Sequence, residues 1–352
     1  MNTTVILGAG FSKNSGVPVQ SEIPGLLISY GKGNGFENDV NMLLKKFMEE
    51  IYGYKGDGHF PNLDDIFTCI DISTNSGHHL GISYSPLTLR GIRRFLVYRV
   101  FSILENCFTP QKYIGSMIEL LNKKSVKTRY IVLNWDNVLE KYLLMNNGKT
   151  GIDYCNGGIN WEEGSYSPPE EAVKIMKLHG SCNWLYCDNC RTLYYDLLNK
   201  VGLIERAGFQ KTDFSLLSYV HNAYSKENAI KSRLCRLCND PVSSHIATFS
   251  YRKSFRANSF PDIWNEAESS LCQSDRWIFI GYSLPDADYE FKHLLKIAEL
   301  KLKHMRKEGL EIDVVLLNSD KTIDKYKSFF GNKLHYICNG GIDEYSDYLK
   351  TL

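Results

Sequence analysis

Thr3-Thr4-Val5-Ile6-Leu7-Gly8-Ala9-Gly10-Phe11-Ser12 is the stretch on which the fold turns. Val5, Ile6 and Leu7 form a short continuous apolar run, as a strand buried on both faces does. A glycine turn follows at Gly8-Ala9-Gly10, and a helix is expected after it. This order opens a doubly wound α/β sheet. Glycines let the backbone turn tightly and approach a pyrophosphate. A dinucleotide fingerprint requires a third glycine at position 13, where this chain has Lys13, and a P-loop requires Gly-Lys-Ser or Gly-Lys-Thr. On these residues alone the turn is either a phosphate grip or a strand-to-helix turn without ligand. Ser12 suits a helix cap or a donor to phosphate.

Other apolar runs repeat the pattern of strand followed at once by glycine or a polar residue. Tyr130 to Leu133 leads into Asn134-Trp135-Asp136, and Lys174 to Leu178 leads into His179-Gly180. Trp277 to Ile280 leads into Gly281-Tyr282-Ser283, and Ile312 to Leu317 leads into Asn318. In open α/β sheets ligands bind beyond the carboxyl ends of the strands. Val138, Leu139, Tyr142 and Leu143 are spaced for a helix, and Phe291 to Met305 reads as another. The fold class expected is α/β, a Rossmann-like parallel sheet. Residues 20–125 differ. Val40 to Tyr52 and Leu89 to Leu104 carry apolar residues at helical spacing between glycine-rich and polar stretches, which reads as a mostly helical insertion or subdomain. Gly77-His78-His79 within it reads as surface rather than as a metal site.

The chain has 352 residues, enough for one large domain or for a domain carrying a substantial insertion. Hydrophobic residues make up 43% and charged residues 23%, ordinary for a globular protein. A formal net charge of +1 offers no electrostatic footprint for nucleic acid, so no direct nucleic-acid binding is expected. No basic and long apolar leader precedes Thr3, and no run reaches eighteen apolar residues, so neither secretion nor a membrane span is expected. The ten cysteines then read as reduced thiols of a cytoplasmic protein.

Four of those cysteines form two C-x-x-C pairs, Cys187 with Cys190 and Cys235 with Cys238. Four thiolates at this spacing suit a tetrahedral structural Zn site, and the other readings are independent local pairs or redox-active thiols. His179, just beyond a strand and followed by glycine, suits a general base facing a cleft, or a packed histidine with no chemistry. Asn134 and Asp136 end another strand and can share that crevice, or form an Asx turn. Gly281 and Ser283 suit contact with phosphate or ribose, Asn318 suits a ribose, and Asp288 reads as the cap of the helix starting near Tyr289. No G-x-S-x-G motif supports a Ser-His-Asp hydrolase.

Taken in order, these motifs resemble one family. Gly8-Ala9-Gly10-Phe11-Ser12 with Ser15-Gly16-Val17-Pro18, then Asn134-Trp135-Asp136, Leu178-His179-Gly180, and Gly281-Tyr282-Ser283-Leu284-Pro285 with Asp288 are similar to the sirtuins. They are closer still to the bacterial sirtuin-like NAD-hydrolysing domains of antiphage defence systems. The cysteine pairs fall where sirtuins carry their zinc ribbon. The resemblance covers most of the chain and is weakest over 20–125. It implies one sirtuin-like domain over 1–352, with the helical insertion at 20–125 and a zinc-binding module at 182–245. It further implies that Gly8, Ala9, Gly10, Phe11 and Ser12 line NAD, and that Asn134 and Asp136 hold the nicotinamide ribose, the carboxamide and a water. His179 is then the catalytic histidine, Gly281, Tyr282, Ser283 and Asn318 take the adenosine side, and the four cysteines bind Zn. The activity implied is NAD glycohydrolysis, in a homo-oligomeric antiphage effector whose partner is a DNA-translocating ATPase encoded nearby. NAD-dependent protein deacylation and a non-catalytic module sensing NAD or ADP-ribose are the alternatives. Deacylating sirtuins follow Ser-Gly-Ile-Pro with Asp-Phe-Arg, whereas Pro18 is followed here by Val19-Gln20-Ser21. Their Phe-Gly-Glu phrase is replaced by Ala247-Thr248-Phe249-Ser250-Tyr251-Arg252-Lys253. Both departures count against deacylation.

Overall fold

The computed structural model describes residues 1–31, 35–147, 151–165, 168, 171–217, 233–246, 260–305 and 309–351. The 247–253 stretch that replaces the Phe-Gly-Glu phrase lies outside them. The first strand, β1 (Asn2–Leu7), is buried at every position after Asn2 and leads directly into α1 (Ala9–Lys13). Helices α2 (Ile23–Leu27), α3 (Gly35–Tyr52), α4 (Leu63–Ser76), α5 (Pro86–Asn106) and α6 (Lys112–Lys124) precede β2 (Lys127–Val132). Next come α7 (Val138–Asn147), β3 (Ile152–Asp153), β4 (Ile159–Asn160), β5 (Val173–Lys177), β6 (Gly180–Cys187), β7 (Leu193–Tyr195), α8 (Leu203–Ala207) and a 3₁₀ turn at Lys211–Leu216. The chain continues through β8 (Val242–Ile246), α9 (Phe260–Gln273), β9 (Arg276–Ile280), α10 (Tyr289–Met305), β10 (Glu311–Val315), α11 (Asp320–Phe330), β11 (Leu334–Cys338) and α12 (Ile342–Thr351).

Seven strands form one parallel sheet in the order β11-β10-β9-β1-β2-β5-β3. β1 and β9 are buried on both faces, so the sheet is covered by helices on each side, as a parallel sheet must be. The order reverses at β1, with β2 on one side and β9 on the other, which is the topological switch point where such sheets bind ligands. The expected Rossmann-like sheet is therefore present, and β11 extends it beyond the last strand read from the sequence.

The helices between β1 and β2 are of two kinds. α6 packs on β2, α7 and α12 and belongs to the layer covering the sheet. α5 is the axis of the rest. Ser85 caps it by accepting from Thr88 N at 3.2 Å, and Pro86 occupies its first turn, where a missing N–H costs nothing. α5 carries a wholly buried Arg99 paired with Glu37 of α3. Its Arg94 grips Asp213 through two hydrogen bonds of 2.6 and 2.7 Å, and its Glu105 meets Arg206 of α8. α3 and the 203–216 segment are thus bolted to one helix. His78 and His79 are exposed in the loop after α4.

A second sheet, β4-β7-β6-β8, packs one face into the main core through Trp184, Tyr186, Leu193 and Tyr195, and the other on a small core of Leu185, Cys187, Tyr194, Val201, Cys235 and Val242. Through β4 it draws on residues 159–160, ahead of the 182–245 stretch marked by the cysteines.

Candidate functional site

The ends of β1 and β9 interlock. Gly8 N–H donates to Ile280 O at 3.0 Å, and Gly10 N–H donates to Gly281 O at 2.9 Å. A Cβ on Gly8 would lie 2.4 Å from Tyr282 Cα, and one on Gly281 would lie 2.2 Å from Phe11 N. Gly281 also has φ +63°, in the left-handed region. These glycines therefore have a structural cause, the contact of two turns, and the Gly10 N–H is already used. Gly281→Ala is expected to destabilise the chain by about 1–3 kcal/mol, through backbone strain and overpacking. Urea unfolding checks this, and an unchanged midpoint would contradict the interlock.

Beside the interlock, the loop after β2 and the first helix meet. Ser12 Oγ donates to Asp136 Oδ1 at 2.9 Å and accepts from Asn134 Nδ2 at 3.2 Å. Asp136 Oδ1 also accepts from Val138 N at 3.1 Å, the Asx-type turn its position suggested. Burial raises the Asp136 carboxyl above the ordinary aspartate range, against the opposing charge of Lys177 and the donors Val138 N and Ser12. Asn134 is half-buried at the edge of this group.

Lys177 was not singled out in the sequence, yet it anchors the site from below. It is fully buried, donates to Asp136 O, and meets Glu140 Oε1 at 3.2 Å. Tyr154 OH donates to the same Glu140 oxygen at 3.0 Å, and Asn183 Nδ2 donates to Tyr154 OH at 3.1 Å. One signal was available: a lysine between the apolar Met176 and Leu178, at the end of a strand that leads toward the site, needs a partner if that end is buried.

His179 leaves β5 two residues later. Its Nδ1 lies 3.0 Å from Leu133 O, on the same loop that carries Asn134 and Asp136. Its Nε2 lies 3.7 Å from Asp288 Oδ1. Asp288 Oδ2 accepts from Tyr282 OH at 2.8 Å. Asp288, read from the sequence as a helix cap, directs its carboxylate at the histidine. Phe11 and Tyr282 lie in the core, whereas Ser283 is exposed and Ala9 half-buried. Asn318 is exposed beyond β10 with φ +47°, and its N–H donates to Asn339 O at 3.0 Å. It stands apart from the bonded group of Ser12, Asn134 and Asp136.

The four cysteines of the second sheet come together. Their Sγ atoms all lie within 4.8 Å of one another, with Cys187–Cys238 and Cys190–Cys235 each at 3.4 Å. Four thiolates about 2.3 Å from one zinc stand roughly 3.8 Å apart, so this quartet fits a tetrahedral ion. Burial pushes the Cys187 thiol up to about 12. At Cys235 burial acts in the same sense but is outweighed by the Tyr194 hydroxyl and the N–H groups of Cys238 and Leu237, which bring that thiol to about 6. Tyr194 OH lies 3.1 Å from Cys235 Sγ, an outer contact that orients the ligand. Among the described residues, no other group of three or more His, Cys, Asp or Glu is arranged to hold a metal.

No protein-family model matches the chain. No curated protein matches it either. Solved structures are similar to it. One described as Sir2 with a p53 peptide and NAD+ is 16% identical, covers 99% of this chain and 92% of its own, and has a TM-score of 0.45. One described under the structural basis of sirtuin substrate affinity is 16% identical, with 99% and 93% coverage and a TM-score of 0.48. A mutant Sir2 homologue in complex with ADP-ribose is 14% identical, with 99% and 90% coverage and a TM-score of 0.43.

Proposed function

We propose that this chain is a sirtuin-superfamily NAD glycohydrolase, cleaving NAD to nicotinamide and ADP-ribose. The observation that carries the reading is convergence. Ser12, the Asn134–Asp136 turn and His179 are far apart in sequence, yet all stand just beyond the carboxyl ends of adjacent strands, Ser12 in α1 and the others in loops, beside the switch point at β1. The motifs that resemble the sirtuins thus meet at one end of the sheet.

The chemistry follows from the geometry. Leaving of nicotinamide gives an oxocarbenium-like ribose, and the site must favour that charge distribution over ground-state NAD. Asn134, held by Ser12, presents its amide to the ribose and the attacking water. Asp136 fixes Ser12 and the loop. His179 has its Nδ1 engaged by the Leu133 carbonyl, so Nε2 is the nitrogen that takes a proton from the water. The quartet of cysteines would hold zinc as a structural ion, remote from this chemistry. We also propose, from the motif resemblance, a cytoplasmic antiphage effector that acts as a homo-oligomer with a DNA-translocating ATPase as partner. No described helix is long and apolar enough to cross a membrane.

The test is incubation of the purified chain with NAD, with and without acylated peptide and with the products of neighbouring genes. Nicotinamide and ADP-ribose without peptide support the hydrolase. Turnover only with peptide makes the chain a deacylase, and saturable binding without turnover makes it a sensor. His179→Ala and Asn134→Ala, each shown to be folded, are expected to lower turnover about 100-fold or more. Unchanged NAD loss in both rejects the assignment.

A further inference from the structure

We infer that Asp288 is a positioning residue for His179, forming with it an Asp–His pair across the crevice; this deepens the NAD-hydrolase reading and rests on it. The Leu133 carbonyl only accepts, so Nδ1 of His179 carries the hydrogen and Nε2 is the basic nitrogen of the neutral ring. That Nε2 faces Asp288 Oδ1 at 3.7 Å, too long for a hydrogen bond but close enough for charge to act in a site where both side chains are about nine-tenths buried.

The carboxylate is itself held. Its second oxygen takes the Tyr282 hydroxyl at 2.8 Å, and Tyr282 is pinned because its carbonyl accepts from Tyr326 OH at 3.0 Å. Burial and the neighbouring carboxylate keep the Tyr282 phenol protonated, well above its ordinary range, so it remains a donor. The backbone of Asp288 starts α10, its carbonyl accepting from Lys292 N at 3.1 Å, while its carboxylate looks back over the sheet. His179 comes from β5 and Asp288 from the loop after β9, so the pair spans the two halves of the sheet on either side of β1.

In the hydrolytic step, the water oxygen bonds to C1′ of the nicotinamide ribose. The C1′–N bond breaks, with its electron pair leaving on neutral nicotinamide, and the water proton passes to Nε2. Asp288 faces the imidazolium that results. It faces the nitrogen that receives the proton, whereas the aspartate of a hydrolase triad holds the opposite one, and its negative charge stabilises the imidazolium and fixes the ring.

The test is steady-state NAD hydrolysis by wild type, His179→Ala, Asp288→Asn, Asp288→Glu and the double variant His179→Ala/Asp288→Asn, each with its melting curve. Asp288→Asn, which removes the charge facing the imidazolium, is expected to lower kcat about 30- to 1000-fold with KM within threefold. Asp288→Glu is expected to recover part of that loss. In the His179→Ala background Asp288→Asn is expected to cost nothing further, since the two act as a unit. Tyr282→Phe, which loosens the carboxylate without removing it, is expected to lower kcat a few-fold and serves if Asp288→Asn does not fold. If His179→Ala is inactive while Asp288→Asn keeps kcat within threefold of wild type, or if the two losses multiply, the pair is wrong and the hydrolase reading stands. If wild type itself does not consume NAD, the reading falls and the pair with it.

Discussion

Lys177→Met destabilises the protein by about 3–5 kcal/mol, the cost of leaving a buried carboxylate without its cation. Glu140 is the carboxylate concerned, as buried as Lys177 itself. Its remaining described donor, Tyr154, is neutral and satisfies one oxygen only. The double variant Lys177→Met/Glu140→Gln is expected to recover most of the loss, because a neutral amide keeps an acceptor for Tyr154 and no charge is stranded. Its activity is expected to stay low. Lys177 also holds Asp136 O, and no neutral pair restores that bond. Denaturant unfolding and NAD turnover on the same three proteins separate the two effects. A single variant within 1 kcal/mol of wild type would remove the buried pair from the account.

Removing zinc is expected to have the other large effect. Among the described residues, the small core under β4-β7-β6-β8 has six buried members, and two of them are the ligands Cys187 and Cys235 themselves. The opposite face of that sheet, with Trp184, Tyr186, Leu193 and Tyr195, packs in the main core, so it is the cysteine-bearing face that depends on the metal. Structural zinc contributes on the order of 10 kcal/mol in apparent terms to small metal-binding units. Cys235→Ala, or a strong chelator, is therefore expected to loosen the cysteine-bearing face of this sheet and lower the melting temperature. Metal analysis should find one zinc per chain. A metal-free protein that melts unchanged would show the thiols to be spectators. The effect should reach the crevice, because β6 is buried along its whole length and runs from Gly180, beside His179, to Cys187.

The central strands were legible because parallel strands covered on both faces are written as unbroken apolar runs, as in Val5-Ile6-Leu7 and Trp277-Ile278-Phe279-Ile280. The strand β6 was not, since it buries Ser181 and Asn183 whose partners come from elsewhere in the chain. The edge strand β11 was missed for the opposite reason: His335 is exposed, and Leu334, Tyr336 and Ile337 are only half-buried. In the site, Asn134, Asp136 and His179 could be named from their place after a strand. Lys177, Glu140 and the orientation of Asp288 could not, because each depends on a partner that only the folded chain brings near. The glycine turn carried the most ambiguity, and the structure gives its glycines a packing cause.

The position of β1 has a consequence for synthesis. It pairs with β2 at residues 127–132 and with β9 at 276–280. At ordinary rates of translation β1 waits on the order of tens of seconds for its second neighbour. During that interval one edge of an apolar strand is open, a liability that a chaperone would have to cover. The same delay is a safeguard. The loop carrying Gly281 and Asp288 closes the crevice only after β9 is made, so a nascent chain, or one cut short before Trp277, holds Asn134 and His179 without the wall that faces them.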